Sequence, residues 1–114
     1  MADCLFCKIS TKKIPATILY EDHTVMAFED VAPQAPLHVL VIPRKHVASL
    51  AELGENDGTL LGHMTGVLNR LAKERGVAES GYRVVVNNGP DANQSVAHLH
   101  LHLLGGRRFA WPPG

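Results

Sequence analysis

His98-Leu99-His100-Leu101-His102 puts three imidazoles at strict two-residue spacing. On a β-strand successive side chains point to opposite faces, so the three rings would share one face and the leucines the other. A single histidine is commonly structural, with both ring nitrogens partnered. Three in alternation must all be satisfied within one narrow strip, which points to chemistry. Two chemistries compete. Rings at i and i+2 can converge on one catalytic metal ion at Zn–N distances of about 2.0–2.1 Å, with a third ligand from elsewhere. The row spans about 13 Å at roughly 3.3 Å per residue, so His98 and His102 cannot easily share that ion. In the second chemistry the central His100 is a nucleophile, oriented and assisted by His98 and His102. Neutral imidazole, with an ordinary pKa of about 6.5, attacks phosphorus and forms a phosphoramidate that water later cleaves.

The neighbourhood favours the nucleophile. Asn88-Gly89-Pro90-Asp91-Ala92-Asn93-Gln94-Ser95 is a turn-rich loop feeding directly into the histidines. It brings backbone N–H groups and the Ser95 hydroxyl to where a phosphate oxygen would sit. No acidic cluster of the kind that holds Mg²⁺ accompanies it. The two cysteines form Cys4-Leu5-Phe6-Cys7, which in a reducing compartment reads as a metal clip or thiol pair rather than a disulfide staple. His23 and His63 read as solvated surface residues.

These groups need a scaffold, and 114 residues at 12.4 kDa allow one domain, residues 1–114. A helical turn is expected over residues 7–12 and a hairpin over 17–20 and 24–28. An almost wholly apolar third strand over 37–42, stopped by Pro43, should be central. In residues 56–75 a step of about 100° per residue gathers Leu60, Leu61, Met64, Val67, Leu68 and Leu71 into an arc of about 120°, one amphipathic helix lying on a sheet. Gly58, Gly62 and Gly66 mark another flank of it, either locally neutral or a stripe where a second helix, such as one of another subunit, comes close. Gly76 closes the helix. Strands over 82–86 and 96–104 complete an α+β domain: a five-stranded antiparallel sheet with one long helix and a short N-terminal one. Eleven basic residues balance eleven acidic ones, and no basic run exceeds two residues, which argues against nucleic-acid or membrane-surface partners. With no signal-like N-terminus and no apolar run near about 18 residues, a soluble cytoplasmic protein is expected.

The HxHxHxx motif with apolar residues at each x resembles the signature of the histidine triad family, and the resemblance spans nearly the whole chain. Phe28-Glu29-Asp30, Pro33-Gln34-Ala35-Pro36, His38 before Val39-Leu40-Val41-Ile42-Pro43, Asn87, Gln94-Ser95-Val96 and Trp111-Pro112-Pro113-Gly114 are similar to its nucleotide-binding branch, rather than to the dinucleotide hydrolases or uridylyltransferases. The resemblance implies a hydrolase of nucleoside, chiefly adenosine, 5′-phosphoramidates or acyl-nucleotides, acting on AMP or GMP conjugates without a catalytic cofactor. His100 would be the nucleophile and His98 would fix its tautomer. His102 and Asn87 would bind phosphoryl oxygens, Ser95 would help the leaving nitrogen, and His38 would sit behind the triad. Asp30 would hold the ribose; Leu5, Phe6, Phe28, Val31, Leu40 and Val96 would line the nucleotide slot. Cys4 and Cys7 with His46 and His98 would form a structural zinc site, and the protein would be a homodimer. Ala92-Asn93 stands where some relatives carry glycines, which would narrow the phosphate loop. A non-catalytic nucleotide-binding partner protein and an HxH metal-dependent hydrolase are the alternatives.

Overall fold

Alternation along the strands decides which residues face which layer. In the computed structural model, which describes residues 3–114, the helices are α1 (Leu5–Ser10) and α2 (Gly58–Glu74). The strands are β1 (Ile18–Glu21), β2 (Val25–Glu29), β3 (Leu37–Pro43), β4 (Tyr82–Val85) and β5 (Leu101–Gly105). Every neighbouring pair is antiparallel, in the order β1-β2-β3-β5-β4. The apolar strand over 37–43 is therefore the middle one, as its composition requires.

Val25, Ala27, Val39, Val41, Leu101 and Leu103 form one buried face with Met64, Val67, Leu68 and Leu71 of α2. Leu60 and Leu61 pack at its margin. On the other face, Met26, Phe28, Leu40 and Ile42 pack with Phe6 and Ile9 of α1. His38 and His102 alternate onto that second face, so the sheet itself separates the main core from the histidines. The glycine flank of α2 is exposed, with nothing within 4 Å of a Cβ built on Gly58, Gly62 or Gly66. Gly76, at φ 77°, turns the chain out of α2, while the N–H of Val77 bonds back to the carbonyl of Ala72. No helix among the described residues is long and apolar enough to cross a membrane.

Three expectations are corrected. The first helix starts at Leu5 rather than residue 7, because the Cys4 sulfur caps it by accepting from the N–H of Cys7 at 3.4 Å. The last strand begins at Leu101 rather than residue 96. Continuing the register from Val41↔Leu101 would set Leu99 against Pro43, which has no N–H to give. The chain stays close instead through the N–H of Leu99, which donates to the carbonyl of Val47 at 2.6 Å. His63 is not simply solvated: its Nε2 lies 2.5 Å from Asp22 Oδ2. Burial alone would raise Asp22, but hydrogen bonds from Tyr20, His63 and the N–H groups of Thr24 and Val25 hold it far below the usual carboxylate range. His23 is exposed, as expected.

Leu68, 1% exposed at the α2–sheet contact, tests this packing. Leu68→Ala should lower unfolding free energy by about 2–5 kcal/mol in urea titrations, and a loss below about 1 kcal/mol would show that α2 does not bury this face against the sheet.

Candidate active site

Each ring of the row is held by a different partner, and the partners assign its proton. His98 is fully buried, and its Nε2 lies 2.8 Å from the carbonyl of Pro43. A carbonyl only accepts, so Nε2 carries the proton and Nδ1 has the lone pair. The ladder's end at Pro43 is what brings this carbonyl to the ring. His100 Nδ1 lies 2.7 Å from the backbone carbonyl of His98, so its proton is on Nδ1 and its Nε2 is bare. His38 Nδ1 accepts from the N–H of Gln34 at 3.0 Å, which puts the His38 proton on Nε2. That proton faces His102 Nδ1 at 2.9 Å, leaving His102 as an Nε2–H donor. His38 stands opposite Leu104 in the β3–β5 register, which makes His102 its diagonal neighbour on the same face.

Phe6 of α1 braces the row edge-on, with ring centroids 5.1 Å from His100, 5.9 Å from His98 and 5.4 Å from Phe28. Burial lowers the pKa of His38, offset in part by the Asp30 carboxylate 3.4 Å from its Nε2. Burial also lowers His98. His102 is pushed down to about 4, by burial first and then by His100 and His38. These rings are therefore neutral at pH 7, as their hydrogen-bond partners require.

A cavity of about 280 Å³ opens beside them. Its wall includes Leu5, Phe6, Phe28, Asp30, Val31, Leu40, Ser95, Val96, His100 and His102, so these sequence-predicted residues converge on one apolar slot with a polar end. Val31, at 97% exposure, stands at the lip. Asn87 is half-buried beyond β4 and is not among the residues lining the slot; His38 lies behind His102. Ile9, Ile14, Pro15, Ala16 and Glu29 also line the wall and were missed. Ile9 was detectable, three residues after Phe6 on the same helix face. Gln94 was missed as well. Its Oε1 accepts from the N–H of Gly89 at 2.9 Å, and its Nε2 donates to the carbonyls of Ala48 and Val96 at 2.8 and 3.0 Å, closing the loop that carries Ser95. Asn93 takes the glycine-like φ of 63° in that loop, a conformation asparagine tolerates better than most residues.

Cys4, Cys7, His46 and His98 bring four donor atoms within 4.8 Å of one another. Cys4 Sγ lies 3.3 Å from His98 Nδ1, and Cys7 Sγ lies 3.3 and 3.6 Å from the Nδ1 atoms of His46 and His98. Tetrahedral zinc with Zn–S about 2.3 Å and Zn–N about 2.05 Å separates S and N by about 3.5 Å, so the set fits that ion. The His98 proton on Nε2, held by Pro43, is the outer hydrogen bond a ligating imidazole needs. Asp30, His38 and His102 also cluster, but 2.9 Å between ring nitrogens with a proton between them is a hydrogen bond, too short for two ligands of one tetrahedral ion. Within the triad, the three Nδ1 atoms turn to three different partners, so no adjacent pair converges on an ion through them.

Sheet, helices and row define an α+β protein built around alternating histidines beside an apolar slot. Residues 3–108 match the family model described as scavenger mRNA decapping enzyme C-terminal binding. An uncharacterized HIT-like protein of Synechococcus elongatus is 52% identical over 112 residues, 98% of this chain and 97% of that one. Among solved structures, a HIT family hydrolase from Legionella pneumophila superposes with a TM-score of 0.96 at 47% identity, covering 98% of this chain and 100% of that one. A histidine triad nucleotide-binding protein from Candida albicans superposes at 0.82 with 34% identity, covering 98% and 85%. The chain belongs to the histidine triad family.

The depressed histidines give stability a definite pH dependence. With His102 at about 4 when folded and about 6.5 when unfolded, the unfolded chain binds the extra proton between those values. Stability should be full above pH of about 6.5 and fall as the pH drops toward about 4. Imidazole NMR should find the His102 midpoint near 4, whereas a midpoint of about 6.5 or higher would contradict the buried neutral row.

Proposed function

We propose that the protein hydrolyses nucleoside 5′-phosphoramidates or acyl-nucleotides, adenosine derivatives foremost, through a nucleotidyl-His100 intermediate. The observation that carries this reading is the 2.7 Å bond from His100 Nδ1–H to the carbonyl of His98, which leaves a bare Nε2 on a ring that lines the slot. The Nε2 lone pair forms a bond to phosphorus as the bond from phosphorus to the leaving nitrogen or oxygen breaks. The leaving group departs with its electron pair and takes a proton, with the Ser95 hydroxyl at the slot as the nearby donor. The ring, now bonded at Nε2 and protonated at Nδ1, is cationic, and the His98 carbonyl stabilises it. Water then attacks phosphorus and gives up a proton that restores the Ser95 hydroxyl, as the bond from phosphorus to Nε2 breaks; the nucleoside monophosphate leaves and the imidazole returns to its starting tautomer. His102 Nε2–H donates to a phosphoryl oxygen. It does not relay a proton, because His38 Nδ1 is already an acceptor and His38 has only its Nε2 proton to share. Asn87, half-buried beyond β4, would join His102 at phosphate. Asp30 accepts from the ribose, and Leu5, Phe6, Phe28, Val31, Leu40 and Val96 take the flat base.

The hydrolase and nucleotide-binding descriptions of the Legionella and Candida neighbours support the reading. Zinc held by Cys4, Cys7, His46 and His98 would be a closed structural site that ties α1 to the chain entering β5. The exposed glycine stripe of α2, open above each glycine, supports a homodimer paired across that helix.

Incubation with an adenosine 5′-phosphoramidate should yield AMP, and His100→Ala should lower kcat on the order of 10³-fold or more. Equal, negligible turnover by wild type and variant would favour the non-catalytic binding protein. Separately, protein purified without chelator should carry about one zinc per chain, lost in the Cys4→Ser, Cys7→Ser double variant. Zinc below about a tenth per chain in a folded sample would exclude the site.

A further inference from the structure

Asp30 is placed to do more than accept hydroxyls. Its Oδ1 accepts from the N–H of Ala32 at 2.8 Å, while its Oδ2 lies 3.4 Å from His38 Nε2. No hydrogen bond to Oδ2 is made among the described residues. His38 has one Nε2 proton and two acceptors within reach, His102 Nδ1 at 2.9 Å and the carboxylate at 3.4 Å. Whichever acceptor takes that proton sets the tautomer of His102. When His102 Nδ1 takes it, His102 must keep its own proton on Nε2. When the carboxylate takes it, Nδ1 is released, and His102 is free to adopt the opposite tautomer with a lone pair on Nε2. A lone pair facing a phosphoryl oxygen repels it, where a proton would bind it.

We propose that Asp30 couples the sugar site to the phosphoryl site. A vicinal diol donating to its carboxylate commits the His38 proton to His102, and so sets His102 as a donor to phosphate. This rests on the nucleotide reading of the slot and deepens it: the substrate class is nucleotides with free 2′ and 3′ hydroxyls, selected in the transfer step as well as in binding. Asp30 and His38 are positioning residues, acting through His102. The device occupies one side of β3, because Asp30 is tied to that strand by its N–H, which donates to the carbonyl of His38 at 3.0 Å. A hydroxyl arriving at Oδ2 therefore reaches His102 through a single intervening ring.

Imidazole ¹⁵N NMR of the full chain, titrated with adenosine and with 2′,3′-dideoxyadenosine, reads the coupling without any turnover. Both nucleosides should shift the Phe28 ring signals, reporting an occupied slot. Only adenosine should move His102 Nδ1 upfield, as a more firmly hydrogen-bonded acceptor. In kinetics with the matching phosphoramidates, the saturating rate should be about tenfold higher for the diol, and Asp30→Asn should bring the two saturating rates within about twofold. Equal Nδ1 shifts from the two nucleosides, or a sugar effect confined to KM, would overturn the coupling. A shift of Phe28 with no response of His102 to adenosine would overturn it while the nucleotide site stands. If neither nucleoside binds, the nucleotide reading fails and the coupling falls with it.

Discussion

The hydrogen bond from His100 Nδ1 to the carbonyl of His98 is the constraint on which the site depends. A ring with its proton on the far nitrogen would present a donor to the slot in place of a lone pair. The bond holds because His98 cannot move. One edge of its ring is tied to the Pro43 carbonyl and the other faces the two sulfurs of the N-terminal turn. The backbone between His98 and His100 is thus pinned from the side, where the sheet ladder no longer reaches it. Pro43 acts twice here, ending the ladder and supplying the carbonyl.

The rest of the row extends the same logic. His38 takes a backbone N–H on one nitrogen and hands its only proton to His102, so a chain of definite donors and acceptors runs from Gln34 to the slot. Burial favours the neutral form of each of these rings, so each keeps one donor and one acceptor. Phe6 closes the volume above His98 and His100 and belongs to the helix that the Cys4 sulfur caps. Folding of the N-terminus, position of the His100 ring and shape of the slot are therefore one structural problem.

Much of this was legible in residue types. Alternation alone set the histidines on one face and Leu99, Leu101 and Leu103 in the core, and helical spacing picked the buried side of α2. The apolar run ahead of Pro43 marked the central strand. What periodicity cannot carry is pairing between distant segments. The diagonal that joins His38 to His102 comes from β3–β5 register, and the meeting of Cys7 with His46 from tertiary packing. Both had come from family resemblance, not from spacing. The strand boundary at Leu101 escaped because the proline that ends the ladder lies in another strand. Gln94 escaped because a loop glutamine looks the same whether it faces water or holds three backbone groups.

Rapid acid quench followed by intact-mass measurement would capture the nucleotidyl-His100 intermediate itself. During turnover of an adenosine phosphoramidate, the chain should gain the mass of the nucleoside monophosphate less water. Peptide mapping should place that gain on His100, and the adduct should form and decay at least as fast as product appears. Product released with no adduct, or an adduct on any other residue, would show that His100 is not the attacking group.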